Sequence, residues 1–455
     1  MPESNQNLDN EFVEYIQKAI ENEDMQSFRE EFLDAHPYDR AKFFIKQRRK
    51  IRFQLYAYLS PEEMAEMFEN LDIEDQEKLL EEMDPAYAAD MLSKMYADDA
   101  VDVLNELDKS QVVSYLTIMD DEAAQEIKEL LHYEEKTAGS IMTTEFVNIP
   151  ANLSIREAMN HLKHEAPEAE TIYYIFVTDE DLRLAGVISL RDLIIADDDL
   201  KIHEVMNDRV VSVSVSEDQE EVAKMMKDYD FLALPVVDFQ KHLLGIITVD
   251  DIMDVMDEEA SDDYSKLAAV SDMVTVDRNP FSAARKRLPW LIILLFLGML
   301  TASLIGRFED TLDKVAILAV FIPLIAGMAG NTGTQALAVA VRNIATGDTE
   351  HESKMKLIAR EAGTGIITGA ICGLLVVLVV YLWHHDVYLG LLVGISIFAT
   401  LIVATLAGAL VPLVMHKFNI DPAVASGPFI TTINDLISIL IYFGMATVFM
   451  QYLTR

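Results

Sequence analysis

The chain has 455 residues, room for several domains, and a formal net charge of -40. The charge is lopsided: residues 1–284 hold 25 Lys/Arg against 66 Asp/Glu, a net of -41, and the remainder holds 11 against 10. Such a field repels nucleic acid and anionic lipid and attracts cations, while a single cysteine, Cys372 in an apolar run, excludes a disulfide framework and a Cys-based zinc site.

The N-terminus carries no basic and apolar leader, so the first half is expected in the cytosol. Residues 59–130 repeat with a period of 12, in units opening at Leu59, Leu71, Met83, Met95, Leu107 and Met119. Turn or cap residues follow: Ser60 with Pro61, Asp72, Asp84 with Pro85, Asp108 and Asp120. Ser and Asp cap the orphan N–H groups of a helix start, and Pro fits the first helical position. About two turns of helix follow in each unit. Short stacked helices bury a core that none could make alone. An all-α superhelical domain is expected over residues 1–135. Its acidic residues have a plain structural use, since Asp and Glu favour helix N-termini.

A longer repeat follows. Ser140-Ile141-Met142 parallels Glu204-Val205-Met206, and Val147-Asn148-Ile149 parallels Val211-Ser212-Val213. The run from Gly186 to Leu193 parallels that from Gly245 to Ile252. Each copy reads as strand, amphipathic helix, two strands and a helix entered through Ser or Thr and an Asp. This pattern resembles a tandem pair of CBS domains, α/β modules placed here at 136–203 and 204–258. The resemblance implies a regulatory pair of the kind that often binds adenine nucleotides.

Residues 252–288 read mostly as helix, with residues 259–287 as a linking segment. The start is crowded with Asp250, Asp251, Asp254, Asp257, Glu258, Glu259, Asp262 and Asp263. Like charges three and four residues apart repel along a helix, so cations are expected to stabilise it.

Residues 288–305, 315–341, 362–381, 387–415 and 422–453 are apolar runs long enough for a bilayer core. They predict an all-α domain of five transmembrane helices over 288–455. Basic residues flank alternate connections: Arg285, Lys286 and Arg287 before the first run, Arg342, Lys354, Lys356 and Arg360 between the second and third, and Lys417 after the fourth. The positive-inside rule then gives a cytosolic N-terminus and an outside C-terminus in a cell membrane.

Asp435 is the one acid within the fifth run. A carboxylate at that depth costs ~2.5–3.5 kcal/mol and normally faces a bundle interior or a wet path. Gly427-Pro428 breaks the start of this helix, and Thr431, Thr432 and Asn434 add oxygens. The second run carries Gly327, Gly330, Asn331, Thr334 and Gln335. Small residues allow close helix contact, and the amides can bond water around an ion. Oxygen ligands without His or Cys suit hard cations such as Mg²⁺ or Ca²⁺. One Asp per chain makes a symmetric dimer around a shared path the economical arrangement.

Taken together, the acidic helical domain, the CBS-like pair, the linking helix and the motifs GNTGTQ and GPFITTINDL resemble the MgtE family of Mg²⁺ channels/transporters over essentially the whole chain. That resemblance implies a homodimer with its pore between subunits and Asp435 as the ion-selecting acid near Asn331. It extends the pore set to Thr431, Asn434, Gly327, Gly330 and Thr334, the last a departure from the Asn often found there. It implies Mg²⁺ sensing at Asp98, Glu220, Asp230, Asp251, Asp254, Glu258, Glu259 and Asp421. It also implies ATP binding at Tyr174, Arg191, Asp192 and Phe231. Mg²⁺ import closed by cytosolic Mg²⁺ is the expected function. The alternatives are transport of Mn²⁺ or Co²⁺, and a nucleotide-sensing membrane adaptor that would have no need of Asp435. No nucleophile–base pair, Walker loop or Cys/His cluster points to an enzyme.

Overall fold

The computed structural model describes residues 3–167, 169–270, 280–345, 354–418, 420–422 and 427–453. The chain divides into two compact units, Met1–Met256 and Asp257–Arg455.

The first unit opens with α1 (Glu3–Glu21), α2 (Met25–Asp34), α3 (Pro37–Ile45) and α4 (Arg49–Tyr56). Six short helices follow: α5 (Pro61–Phe68), α6 (Ile73–Glu82), α7 (Pro85–Leu92), α8 (Ala97–Asn105), α9 (Lys109–Ile118) and α10 (Asp121–Leu130). Their starts lie 12 residues apart, as the repeat requires. Ser60 closes a capping box with Glu63, each side chain taking the other's backbone N–H. Asp84 and Asp120 accept from Ala86 and Glu122 at 3.0 and 3.2 Å. The inward faces, among them Met64, Phe68, Leu79, Met91 and Leu104, are buried in one continuous core.

Two α/β modules complete the unit. The first runs β1 (Phe146–Pro150), α11 (Ile155–Glu165), β2 (Thr171–Thr178), β3 (Leu184–Ser189) and α12 (Leu190–Ile195). After α13 (Ile202–Val205), the second runs β4 (Val213–Ser214), α14 (Gln219–Tyr229), β5 (Ala233–Val237), β6 (Leu243–Thr248) and α15 (Val249–Leu267). In both sheets the first strand is parallel to the second, which is antiparallel to the third. The copies interlock: Thr143 bridges Ile246, and Asn207 bridges Val187. This places the sulfur of Met206 2.4 Å from where a Cβ on Gly186 would sit, and that of Met142 3.0 Å from one on Gly245. The repeated Met and Gly of the sequence are therefore the two halves of a reciprocal contact.

The helix expected across residues 252–288 is interrupted. The helix α15 stops at Leu267, because Ala269 turns left-handed (φ 55°) and Val270 N–H donates to Ser265 O at 3.0 Å. Of the expected linking segment 259–287, residues 271–279 lie outside the described residues, and residues 280–287 already belong to α16.

The second unit holds α16 (Pro280–Gly306), α17 (Glu309–Lys314), α18 (Leu318–Ala345), α19 (Lys354–His384), α20 (Val387–Lys417) and α21 (Gly427–Leu453). All but α17 contain stretches of 24 to 31 residues that are apolar enough to cross a membrane. At about 1.5 Å per residue they exceed a ~30 Å hydrocarbon core. A Cβ on Gly408 of α20 would fall 2.3 Å from the carbonyl oxygen of Gly333 in α18. Tyr442 of α21 donates its hydroxyl to Leu318 O at 3.0 Å. The helix α16 instead exposes Leu291, Leu295, Phe296 and Met299.

Candidate functional site

Five of the six 12-residue units place Ser or Asp at the N-cap, whereas α8 has Tyr96 there, without a capping hydrogen bond from its side chain. Its first turn is also the one that carries the adjacent acids Asp98 and Asp99. The missing acceptor comes from the first α/β module. The Glu145 carboxylate takes the Ala97 N–H at 3.1 Å, the Thr143 hydroxyl at 2.9 Å and the Thr144 N–H at 3.1 Å. Glu145 also accepts the Glu170 N–H on its backbone oxygen at 2.9 Å.

This arrangement gathers three carboxylates. Asp98 from α8, Glu170 just before β2 and Asp251 in the first turn of α15 each offer an oxygen, and these oxygens lie within 4.8 Å of one another. Asp98 is only 7% exposed. Its Oδ1, like Oε2 of Glu170, is buried with no hydrogen-bond partner among the described residues. Asp251 is oriented by the Thr248 hydroxyl, which donates to its Oδ2 at 2.6 Å.

The electrostatics follow from burial among like charges. Desolvation, then repulsion by Asp251, raises Asp98 well above the ordinary carboxyl range. Burial and the Asp251 charge push Glu170 up to about 7, against the opposing hydroxyls of Thr248 and Thr143. Asp251 rises to about 6, chiefly through burial. Beside them, burial and Glu69 push Asp99 to about 8, and burial brings Glu69 itself to about 7. A hard divalent cation, which takes carboxylate oxygens as ligands, would relieve the repulsion and satisfy the orphan oxygens.

Of the sensing residues expected from sequence, Asp98 and Asp251 thus meet, and Asp98 rather than Asp99 joins the trio. Glu170 had no signal in sequence, because the packing of the first α/β module against the second, which brings it to Asp251, is nonlocal. Glu220, Asp230, Asp254 and Glu258 are exposed, with Asp230 closing α14 in the left-handed region (φ 55°). In the second unit Glu259 is half-buried, and Asp421 is ion-paired with Lys266.

The Ser/Thr-x-x-Asp motif occurs in both modules and serves two environments. In the first, Ser189 donates its hydroxyl to Asp192 at 2.6 Å, on the surface. Tyr174 pairs in register with Ser189, so Tyr174, Arg191 and Asp192 gather at the end of β3. Phe231 belongs to the other module and stacks on Tyr229 at 5.3 Å. In the second, the equivalent Asp251 is half-buried in the acidic trio.

Within the second unit, α18 presents two stripes. Gly327, Asn331 and Gln335 are exposed, four residues apart. Gly330, Gly333 and Leu337 are buried. A Cβ on Gly333 would strike the Asn434 amide nitrogen at 1.9 Å, and one on Gly330 would lie 2.7 Å from Cγ2 of Thr431. The hydroxyls of Thr334 and Thr431 are 3.4 Å apart. Asp435 follows the buried Asn434 and is half-buried itself. The expected pore residues therefore divide: Gly330, Thr334, Thr431 and Asn434 meet in the α18–α21 contact, while Gly327 and Asn331 lie on the exposed stripe.

Comparison with known proteins finds three family models in chain order. They are described as the MgtE intracellular N domain (residues 35–136), the CBS domain (138–199 and 202–258) and a divalent cation transporter (322–445). The magnesium transporter MgtE of Enterococcus faecalis is 54% identical over 449 residues, covering 98% of this chain and 99% of its own. A solved structure of the soluble part of a magnesium transporter is 54% identical and covers 55% of this chain and 99% of its own, with a TM-score of 0.54. The cytosolic domain of the Mg²⁺ channel MgtE in complex with ATP is 37% identical, at 53% and 99% coverage and a TM-score of 0.51.

Proposed function

Because this chain belongs to the MgtE family of magnesium transporters, we propose that it imports Mg²⁺ across the cell membrane and that cytosolic Mg²⁺ closes it. The observation that carries the gating half is the trio of Asp98, Glu170 and Asp251, one buried and two half-buried acids whose oxygens converge, with an oxygen of Asp98 and one of Glu170 left without a hydrogen-bond partner among the described residues. At low Mg²⁺ their repulsion opposes the packing of α8 against the root of α15. At high Mg²⁺ one ion ties the three together. A ligand shifts such an equilibrium only by binding one state better, and the trio is complete only when α8 is docked.

The transported ion is served by different chemistry. Asp435, with Asn331 and Gly327 on the exposed stripe of α18, supplies one charge and neutral oxygens suited to Mg²⁺ that keeps its water shell. A second copy facing that stripe supplies the second Asp, so the working unit is a homodimer. Basic residues flanking alternate helices support a cytosolic N-terminus and an outside C-terminus. The cluster of Tyr174, Arg191 and Asp192, with Phe231 in the second module, is the proposed ATP site; the ATP-bound family structure supports that reading. Glu220, Asp230, Asp254, Glu258 and Glu259 are proposed as further contacts for regulatory Mg²⁺, and Thr431, Asn434, Gly330 and Thr334 as supports of the path.

The test is Mg²⁺ flux into proteoliposomes with internal Mg²⁺ varied. Asp435→Ala should abolish flux at every internal concentration. Glu170→Gln with Asp251→Asn should leave flux intact and raise the Mg²⁺ needed to close by about 10-fold, within the usual span of allosteric coupling. Retained flux in the first variant would remove Asp435 from the path, and unchanged inhibition in the second would remove the trio from gating. Mn²⁺ and Co²⁺ added as competitors report selectivity in the same vesicles.

A further inference from the structure

The helix α15 carries eight carboxylates and one basic residue, Lys266, in its last turn. The Lys266 ammonium binds Asp262 at 2.8 Å and also Asp421, a residue 155 positions further along the chain, in the connection between α20 and α21. Only about a third of the Lys266 side chain is exposed. The next residue, Leu267, packs on the apolar cluster of Leu337, Val341 and Ile430. Its carbonyl oxygen lies 3.6 Å from where a Cβ on Gly427 would stand, beside Thr334. The left-handed Ala269 ends the helix immediately afterwards. One residue of charge and one of grease thus seat the end of α15 where α18 ends and α21 begins.

The acidic trio in the first unit and this cluster solve like-charge repulsion differently. The neighbours acting most on Asp98 after burial are all acids, whereas Asp262 and Asp421 share an ammonium already built into the chain. We propose that Lys266 is the resident cation of the Asp262–Asp421 cluster, a positioning residue that seats the end of α15 against α18 and α21 without a divalent ion. The proposal rests on the reading that cytosolic Mg²⁺ closes transport through the trio, and adds that α15, which carries Asp251, transmits that restraint. Its consequence is a basal restraint: the path is partly held shut before any regulatory Mg²⁺ binds, and Mg²⁺ elsewhere adds to a seat already populated.

The experiment uses the full-length protein in proteoliposomes with EDTA inside. Two readouts run in parallel: hydrogen exchange of the amides over residues 262–270, and initial Mg²⁺ influx. Lys266→Met keeps the apolar stem and removes the charge. It should speed exchange and raise metal-free influx by about two- to five-fold, the range a single ion pair exposed by about a third controls. Lys266→Arg, which keeps the charge, should behave as the parent in both readouts. Unchanged exchange in Lys266→Met would overturn the seat. Faster exchange with unchanged influx would overturn its restraint on transport. Failure of the underlying transport reading shows separately, as absence of Mg²⁺ influx in the parent protein.

Discussion

The Glu145 carboxylate accepts the backbone N–H of Ala97 at 3.1 Å across 48 residues of sequence, and so caps a helix to which it does not belong. Helix α8 has Tyr96 where its sister helices have Ser or Asp. Loss of an N-cap acceptor costs ~1 kcal/mol. Glu145→Ala should therefore lower the thermal midpoint by a few degrees and weaken divalent binding at the trio, because the turn carrying Asp98 loses its anchor. Adding Tyr96→Ser, which gives α8 a cap of its own, should recover much of the stability. Differential scanning fluorimetry of the four proteins decides the matter; additive losses in the double variant would refute the shared-cap account.

Burial among acids makes the first unit sensitive to pH in a definite direction. Asp99 stands at about 8, Glu170 and Glu69 at about 7, and Asp251 at about 6, all above the values of an unfolded chain. Groups raised on folding stabilise the fold while protonated and lose that contribution as pH rises through the folded value. In EDTA the thermal midpoint should fall as pH increases from roughly 5 to 8.5. Mg²⁺ should cancel most of the fall and stabilise more at the alkaline end, since it replaces the protons. Parallel melting curves with and without Mg²⁺ across that range would show that no cation occupies the cluster.

Much of this was legible in sequence, for physical reasons. The 12-residue spacing, the paired α/β modules and the five apolar runs are local patterns, and each appears as structure. Asp98 came from family resemblance rather than from spacing, whereas Asp251 stood out as well in the crowd of carboxylates at the start of α15. What escaped is nonlocal. Glu170, ahead of β2, reaches Asp251, beyond β6, only through the packing of one α/β module on the other, and Glu145 reaches α8 only through the docking of the first module on the helical repeats. A signal did exist in the cap series, where Tyr96 breaks a run of Ser and Asp; a helix start without its own acceptor asks for one from elsewhere. The end of α15 at Leu267 was obscured because Ala269, not Gly, adopts the left-handed stop. Lys266 stood alone among eight acids, but its partner Asp421 lies in another connection altogether.

The reciprocal Met–Gly contact between the α/β modules predicts an asymmetry that the sequence repeat conceals. A methyl on Gly186 meets Met206 Sδ at 2.4 Å, the end of a flexible side chain, with Asn207 O at 3.0 Å. A methyl on Gly245 meets the backbone carbonyl of Thr143 at 2.6 Å. Thioethers can swing aside, whereas a carbonyl in a bridge moves only with its strand. Both substitutions overpack, at ~1–3 kcal/mol, and Gly245→Ala should be the worse. Chemical denaturation of the two variants, with equal losses or the reverse order, would count against the distinction.

The two stripes of α18 make a matching pair of tests in the membrane unit. Gly333 sits between the Asn434 amide, 1.9 Å from where its Cβ would be, and the close approach of Gly408 from α20. Small residues at such contacts let helices approach backbone to backbone. A methyl on Gly333 displaces the buried Asn434 side chain and crowds Ile430 Cγ2 at 3.1 Å, so this turn of α21 shifts, and Asp435, one residue from Asn434, moves with it. Influx should drop by at least about 10-fold, as expected when a functional group is displaced by an ångström or so. Gly333→Ala with Asn434→Ala, which vacates the space the methyl needs, should regain part of that loss. Gly327, six residues earlier, has nothing within 4 Å of an added Cβ within the chain. Gly327→Ala should therefore leave folding and thermal stability unchanged. If its influx falls while stability holds, the exposed stripe faces the ion path or a second subunit; if influx also holds, the stripe faces lipid, and the path must be sought on another face of α21.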